Sequence, residues 1–172
     1  ADDALRPNVE YILEDAGRCK EIVSNLLTYS RQKKASLEVF TLNDMIQDSV
    51  RLIRDQKIFS GINVIWELSD EPLQVFADRN RLCQVVINLV INAVDAIENK
   101  GALTLRTYKS TGDNTACLEV EDTGGGISKE SLPRIFDPFF TTKQPGRGTG
   151  LGLSTAYGII HENKGDILVK KT

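Results

Sequence analysis

Apolar residues recur through residues 5–34 at alternating spacings of three and four: Val9, Ile12, Ala16, Cys19, Val23 and Leu26, with Ser30 in the same register. Charges such as Glu14, Arg18 and Lys20 fall elsewhere. This is the heptad seam of one long helix. A helix with a single apolar stripe is not stable alone and needs a partner. No other segment carries matching heptads, so the seam predicts a dimer or a neighbouring helix; the plainer alternative is a terminal helix packed on its own domain. The polar stretch Arg31–Ser36 reads as a linker. It divides the chain into a helical part, 1–36, and a domain, 37–172.

In the domain the pattern predicts a short strand at Leu37–Phe40. A helix follows, capped by Thr41 or Asn43 and running to about Gln56, with Met45, Ile46, Val50 and Ile53 on one face. Ile62, Val64, Trp66 and Leu68 alternate with polar positions, as in a half-buried strand. A strand at Gln74–Ala77 and a helix from Asn80 to Asn99, stopped at Lys100-Gly101, come next. Leu103–Lys109 and Cys117–Glu121 read as a hairpin, then a helix after Gly152 and a strand at Asp166–Lys170. This succession implies an α+β domain in which helices cover one face of a mixed sheet.

Composition narrows the class without naming a function. Hydrophobic residues make up 41% and charged residues 26% of the 172, as in a soluble globular protein. The net charge of −3 offers no basic field for nucleic acid. No apolar run reaches membrane-spanning length, so the expectation is a cytoplasmic segment without membrane contact. The three cysteines, Cys19, Cys83 and Cys117, are scattered and read as reduced packing residues. A single histidine excludes most His-based metal sites.

The candidate chemistry lies in two glycine clusters and one helix. Asp122-Thr123-Gly124-Gly125-Gly126-Ile127 follows a predicted strand, and Gly146-Arg147-Gly148-Thr149-Gly150-Leu151-Gly152-Leu153-Ser154 precedes a predicted helix. Glycine tolerates positive φ and leaves room for a close ligand, so two such loops suggest a nucleotide held at both ends. Between them lies an aromatic knot, Phe136-Asp137-Pro138-Phe139-Phe140-Thr141-Thr142-Lys143. In the helix from Asn80, Asn88, Asn92 and Asp95 share a face distinct from the apolar stripe Val85, Leu89, Val90, Val94 and Ile97. Asparagine is a modest helix former. Its oxygen can ligate a hard cation, or it can bridge buried backbone groups.

These segments, in this order, resemble the N, G1, F and G2 boxes of two-component sensor histidine kinases. Asn88-Leu-x-x-Asn92-Ala-x-Asp95-Ala is similar to the N box, and Asp122-x-Gly124-x-Gly126-Ile127 to the G1 box. Phe136–Lys143 is similar to the F box, in the form found in the nitrogen-regulation type, and Gly148-Thr-Gly150-Leu-Gly152-Leu-Ser154 to the G2 box. Asn25-Leu26-Leu27-Thr28-Tyr29-Ser30-Arg31 resembles the second helix of the dimerisation hairpin. The resemblance implies the Bergerat-type ATP fold shared with DNA gyrase. Under it, Asp122 accepts from the adenine amino group, a donor that guanine lacks on that edge. Asn92 ligates Mg²⁺, Asn88 supports the metal or phosphate, and Asp95 lines the rim. Residues 128–147 form a lid with Lys143 and Arg147 as phosphate contacts. Ile127, Phe136, Thr142, Gly148, Thr149, Gly150, Leu151, Gly152 and Leu153 surround the nucleotide, with phosphates toward a helix N-terminus.

The implied reaction moves the ATP γ-phosphoryl group to a histidine, then to an aspartate of a response-regulator receiver domain, within a homodimer held by the hairpin. The acceptor histidine belongs to a first hairpin helix that this sequence does not contain. His161 precedes Glu162 as in the acceptor motif, but lies after the second glycine cluster and lacks the following proline. The family's final strand is also missing, so the expectation is a fragment of a larger kinase. An anti-sigma-type serine kinase and a non-catalytic nucleotide-sensing dimerisation module remain as alternatives.

Overall fold

The structure is a computed structural model that describes residues 36–54, 57–97, 100–112, 114–144 and 148–170. The predicted helix over 5–34 lies outside the described residues, as do Cys19 and Arg147. The elements run β1 Leu37–Thr41, α1 Leu42–Arg54, a 3₁₀ turn at Lys57–Phe59, β2 Ile62–Glu67, β3 Gln74–Asp78 and α2 Arg79–Ala96. Then come β4 Gly101–Lys109, β5 Ala116–Asp122, a 3₁₀ turn at Leu132–Arg134 and α3 Gly152–Glu162. β1 and β3 form an antiparallel pair. β4 is the centre of a mixed sheet, parallel to β2 and antiparallel to β5. The architecture is α+β, with α2 lying on the mixed sheet and α1 and α3 flanking it.

The apolar periodicities produce this packing directly. Met45, Ile46, Val50 and Ile53 of α1 are all buried, as are Val85, Val90 and Val94 of α2. Leu103 and Leu105, inward-facing on the central strand, are fully buried beneath them. Each such side chain contributes roughly 1.5–3 kcal/mol by leaving water, before conformational entropy is subtracted. Cys83 and Cys117 are free thiols; Cys83 Sγ accepts from Ser49 Oγ at 3.0 Å, inside the α1–α2 contact.

Several boundaries differ from the sequence expectation. Thr41 stands in the expected cap position immediately before α1, whereas Asn43 does not. Thr41 Oγ1 accepts from Gln74 Nε2 across the β1–β3 pair. Asn43, already inside the helix, donates to Ser69 O at 2.9 Å and accepts from buried Thr107 Oγ1 at 2.7 Å. Helix α2 begins at Arg79, and its cap is Asp78, which accepts from the amides of Asn80 and Arg81. Helix α2 stops at Ala96 rather than Asn99, and Gly101 opens β4 instead of ending the helix. A Cβ at Gly101 would stand 2.4 Å from Thr123 Oγ1, so glycine serves a close approach there, not a helix stop. Asp166–Lys170 carries no strand. The Ile167 amide is taken by Asp166 Oδ1 at 2.8 Å, a local bond that competes with a ladder.

On the open face of the sheet, Arg106 lies between its cross-strand partners Glu67 and Glu119. It donates to both, at 2.6 and 2.8 Å. Lys170, then Tyr108 and Arg106, donate to Glu119 and hold its carboxyl down at about 2. The Arg106 guanidinium is shifted upward, first by its bond to Glu67.

Candidate functional site

Three separate loops dock on one helix, α2. At its C-terminal end, β5 finishes at Asp122, whose Oδ1 accepts the Gly124 amide at 2.8 Å. The other carboxylate oxygen has no partner among the described residues. Gly125 donates its amide to Ala96 O, a free carbonyl of the last helical turn, at 3.3 Å. Gly124 passes so close that a Cβ would lie 2.4 Å from Ala96 O. Gly126 takes a left-handed φ of 72°, turning the chain outward. Ile127 follows half-buried.

The aromatic knot is folded onto α3. Phe136 stacks obliquely on Tyr157 with centroids 5.1 Å apart, and Tyr157 in turn meets His161 at 4.7 Å. Phe139 holds a left-handed φ of 67°, an arrangement that costs a non-glycine residue on the order of 1–3 kcal/mol. Its amide donates to Gly150 O at 3.0 Å. Gly150 is itself left-handed, and a Cβ there would fall 2.4 Å from the Phe139 carbonyl carbon. The two sides of the loop are thus pinned together at 139 and 150.

Beyond the knot, Lys143 reaches back to the polar face of α2. Its ammonium donates to Asp95 Oδ2 at 2.5 Å and to Asn92 Oδ1 at 3.5 Å. Thr142 beside it is exposed. One turn earlier on α2, Asn88 Nδ2 donates to Gly152 O, the first residue of α3, at 3.0 Å. Leu151 is buried, Leu153 is half-buried and Thr149 Oγ1 accepts the Leu151 amide at 3.4 Å. No side chain caps α3, which leaves its first amides to water or a ligand.

Asn88, Asn92, Asp95, Asp122, Gly124, Lys143 and Gly152 are therefore gathered along α2, while Phe136 is turned to Tyr157. Asn88 also performs the bland role open to it, bridging a backbone carbonyl. Two partners escaped the sequence: Tyr157 under Phe136, and the Asp95–Lys143 pair. Nothing in the spacing of residues 48 apart signals such a contact.

Residues 77–172 match the family described as histidine kinase-, DNA gyrase B-, and HSP90-like ATPase. The chain belongs to this family. Its sensor-kinase branch supplies the relatives. Sensor kinase CckA of Brucella abortus is 37% identical over 97% of this chain and 19% of its own length. The signal transduction histidine-protein kinase AtoS of Escherichia coli K12 is 34% identical over 98% of this chain and 27% of its own. The chain thus spans about a fifth to a quarter of these relatives' lengths. The nucleotide-free catalytic domain of histidine kinase ThkA superposes with a TM-score of 0.66 at 35% identity, covering 74% of this chain and 82% of that one. ThkA in complex with the response regulator protein TrrA gives 0.76 at 30% identity, over 96% of this chain and 46% of that one. Among the described residues, no helix is long and apolar enough to cross a membrane.

Proposed function

We propose that this chain is the ATP-binding catalytic part of a sensor histidine kinase, transferring the γ-phosphoryl group to a histidine imidazole and thence to a response-regulator aspartate. The observation that carries this reading is the docking of three loops on α2, which brings an acceptor for adenine, a candidate cation ligand and an uncapped helix N-terminus to one helix. Asp122 keeps one oxygen free for the adenine amino group and spends the other on Gly124. Asn88 holds the start of α3 through Gly152 O, so the first amides of α3 face the phosphates from a fixed position.

The donor set fits a magnesium ion carried in with the nucleotide. Asn92 Oδ1 already accepts from a cation, the Lys143 ammonium. Among the described residues no group of three or more His, Cys, Asp or Glu could hold a metal alone. Magnesium suits such a site, since it takes most of its oxygens from phosphates and water. When bound, it neutralises phosphate charge. Asn92 would ligate it and Lys143 would meet the phosphates.

His161 does not serve as acceptor in this reading. It lies nine residues along α3 from Gly152, about 13 Å at 1.5 Å per residue. Its ring rests on Tyr157. Transfer needs the acceptor nitrogen within about 3.5 Å of the reacting phosphorus. The acceptor therefore comes from a dimerisation hairpin; homodimerisation through residues 5–34 and a cytoplasmic setting belong to the same reading.

The test combines this chain, γ-labelled ATP and a separately made sensor-kinase hairpin carrying its histidine. Acid-labile label on the hairpin, unaffected by His161→Gln here, is expected. Label on this chain that disappears in His161→Gln would overturn the assignment.

A further inference from the structure

The ion pair between Lys143 and Asp95 lies beside the candidate cation ligand, Asn92. Asn92 and Asp95 are three residues apart on α2 and so point to the same side of the helix. Lys143 Nζ bridges them, at 3.5 Å from Asn92 Oδ1 and 2.5 Å from Asp95 Oδ2. The ammonium is thus held chiefly by Asp95 and lies beside the oxygen that would ligate the cation. Both partners are only about one third exposed, 33% and 37%.

A second observation concerns the stem of the same lysine. A Cβ on Gly148 would lie 3.1 Å from Lys143 Cδ and 2.9 Å from Thr141 Oγ1. The returning side of the loop thus leaves glycine-sized room for the Lys143 chain in this pose. The pose is built from both sides: carboxylate and amide at the tip, Gly148 along the stem.

We infer that Asp95 is a positioning residue that parks Lys143 beside the cation ligand in the nucleotide-free protein, so that binding of magnesium and ATP exchanges one cation for another. This rests on the functional reading above. A divalent cation ligated by Asn92 Oδ1 would repel an ammonium held 3.5 Å from the same oxygen, so entry of the metal drives Lys143 away. Once displaced, Lys143 is free to meet the phosphate charge that arrives with the metal. Asp95 then sets the cost of leaving the parked state, and it steadies the loop before nucleotide arrives.

The test is a cycle of Asp95→Asn, Lys143→Met and the double variant, read by hydrogen exchange without nucleotide and by calorimetry with Mg²⁺ and ATP. Without nucleotide, Asp95→Asn should speed amide exchange in residues 139–144, and Asp95→Glu should restore it. The Mg²⁺–ATP dissociation constant should fall about two- to five-fold in Asp95→Asn, the range that a partly exposed ion pair supplies. In the Lys143→Met background Asp95→Asn should change neither reading, because the pair is already broken. Tighter binding that persists in that background would be a general charge effect and would overturn the inference. So would weaker binding in Asp95→Asn, which would make Asp95 a ligand, or unchanged exchange. If the unaltered chain binds no ATP, the functional reading fails instead, and the nucleotide-free exchange alone decides whether Asp95 parks Lys143.

Discussion

Gly124 and Gly125 are adjacent, yet the structure assigns them opposite sensitivities. A Cβ at Gly124 would stand 2.4 Å from Ala96 O, 2.6 Å from Ala96 C and 2.7 Å from Ala96 Cβ. Two of these atoms are backbone of the last turn of α2 and cannot rotate away. Relief to ordinary contact requires a shift of roughly 0.6–1 Å between the loop and the helix, and forced insertions of this kind cost about 1–3 kcal/mol. The smaller entropy of the unfolded alanine chain returns about 0.4–1 kcal/mol. Gly124→Ala should thus lose about 0–2.5 kcal/mol, with a central value near 1.3. A Cβ at Gly125 meets nothing within 4 Å, and its φ is not left-handed, so Gly125→Ala should be neutral or gain up to about 1 kcal/mol. The shift in Gly124→Ala also moves Asp122, which is bonded to the Gly124 amide, so ATP affinity should fall as well. Urea denaturation gives the stabilities and calorimetry the affinities. Equal stability and equal ATP affinity for the two variants would refute the packing argument.

Three further outcomes follow from individual contacts. Glu119 has a carboxyl pKa lowered from 4.5 to about 2, so protons bind the unfolded chain first as pH falls. Its stabilising contribution is complete above about pH 4.5 and is lost between there and pH 2; Glu119→Gln should flatten that part of the urea-midpoint profile. Asp78→Ala removes the cap from α2 and should cost about 1 kcal/mol in the same denaturation assay. Gly150→Ala places a Cβ against the Phe139 backbone at a φ of 68°, and should speed exchange of the Phe139 amide by breaking its bond to Gly150 O.

The helical faces and the paired strands were legible because apolar burial enforces periodicity: Met45, Ile46, Val50 and Ile53 could not all be buried in any other register. The order of the four boxes was legible because it is local in sequence. Ends and partners were less so. Asn80 and Gly101 mimic helix signals, but Asp78 reaches the first amides, and Gly101 is glycine because Thr123 lies against it. Thr41 and Asn43 both look like caps, yet their side chains are drawn across the fold to Gln74, Ser69 and Thr107. The run Ile167–Val169 has strand-like composition, but a strand needs a ladder, which no single segment can specify. Likewise, Asp95 and Lys143 meet only because two loops are pinned to α2.

The central claim is that Asp122 and Asn92 read an adenine nucleotide with its metal. Calorimetric titration of ATP and GTP, each with and without Mg²⁺, tests it most directly, with Asp122→Asn alongside. The account predicts Mg²⁺-dependent ATP binding, preferred over GTP, and a loss of roughly 1–3 kcal/mol for ATP in Asp122→Asn from the lost acceptor. Equal affinities for ATP and GTP, unchanged by Asp122→Asn, would contradict it.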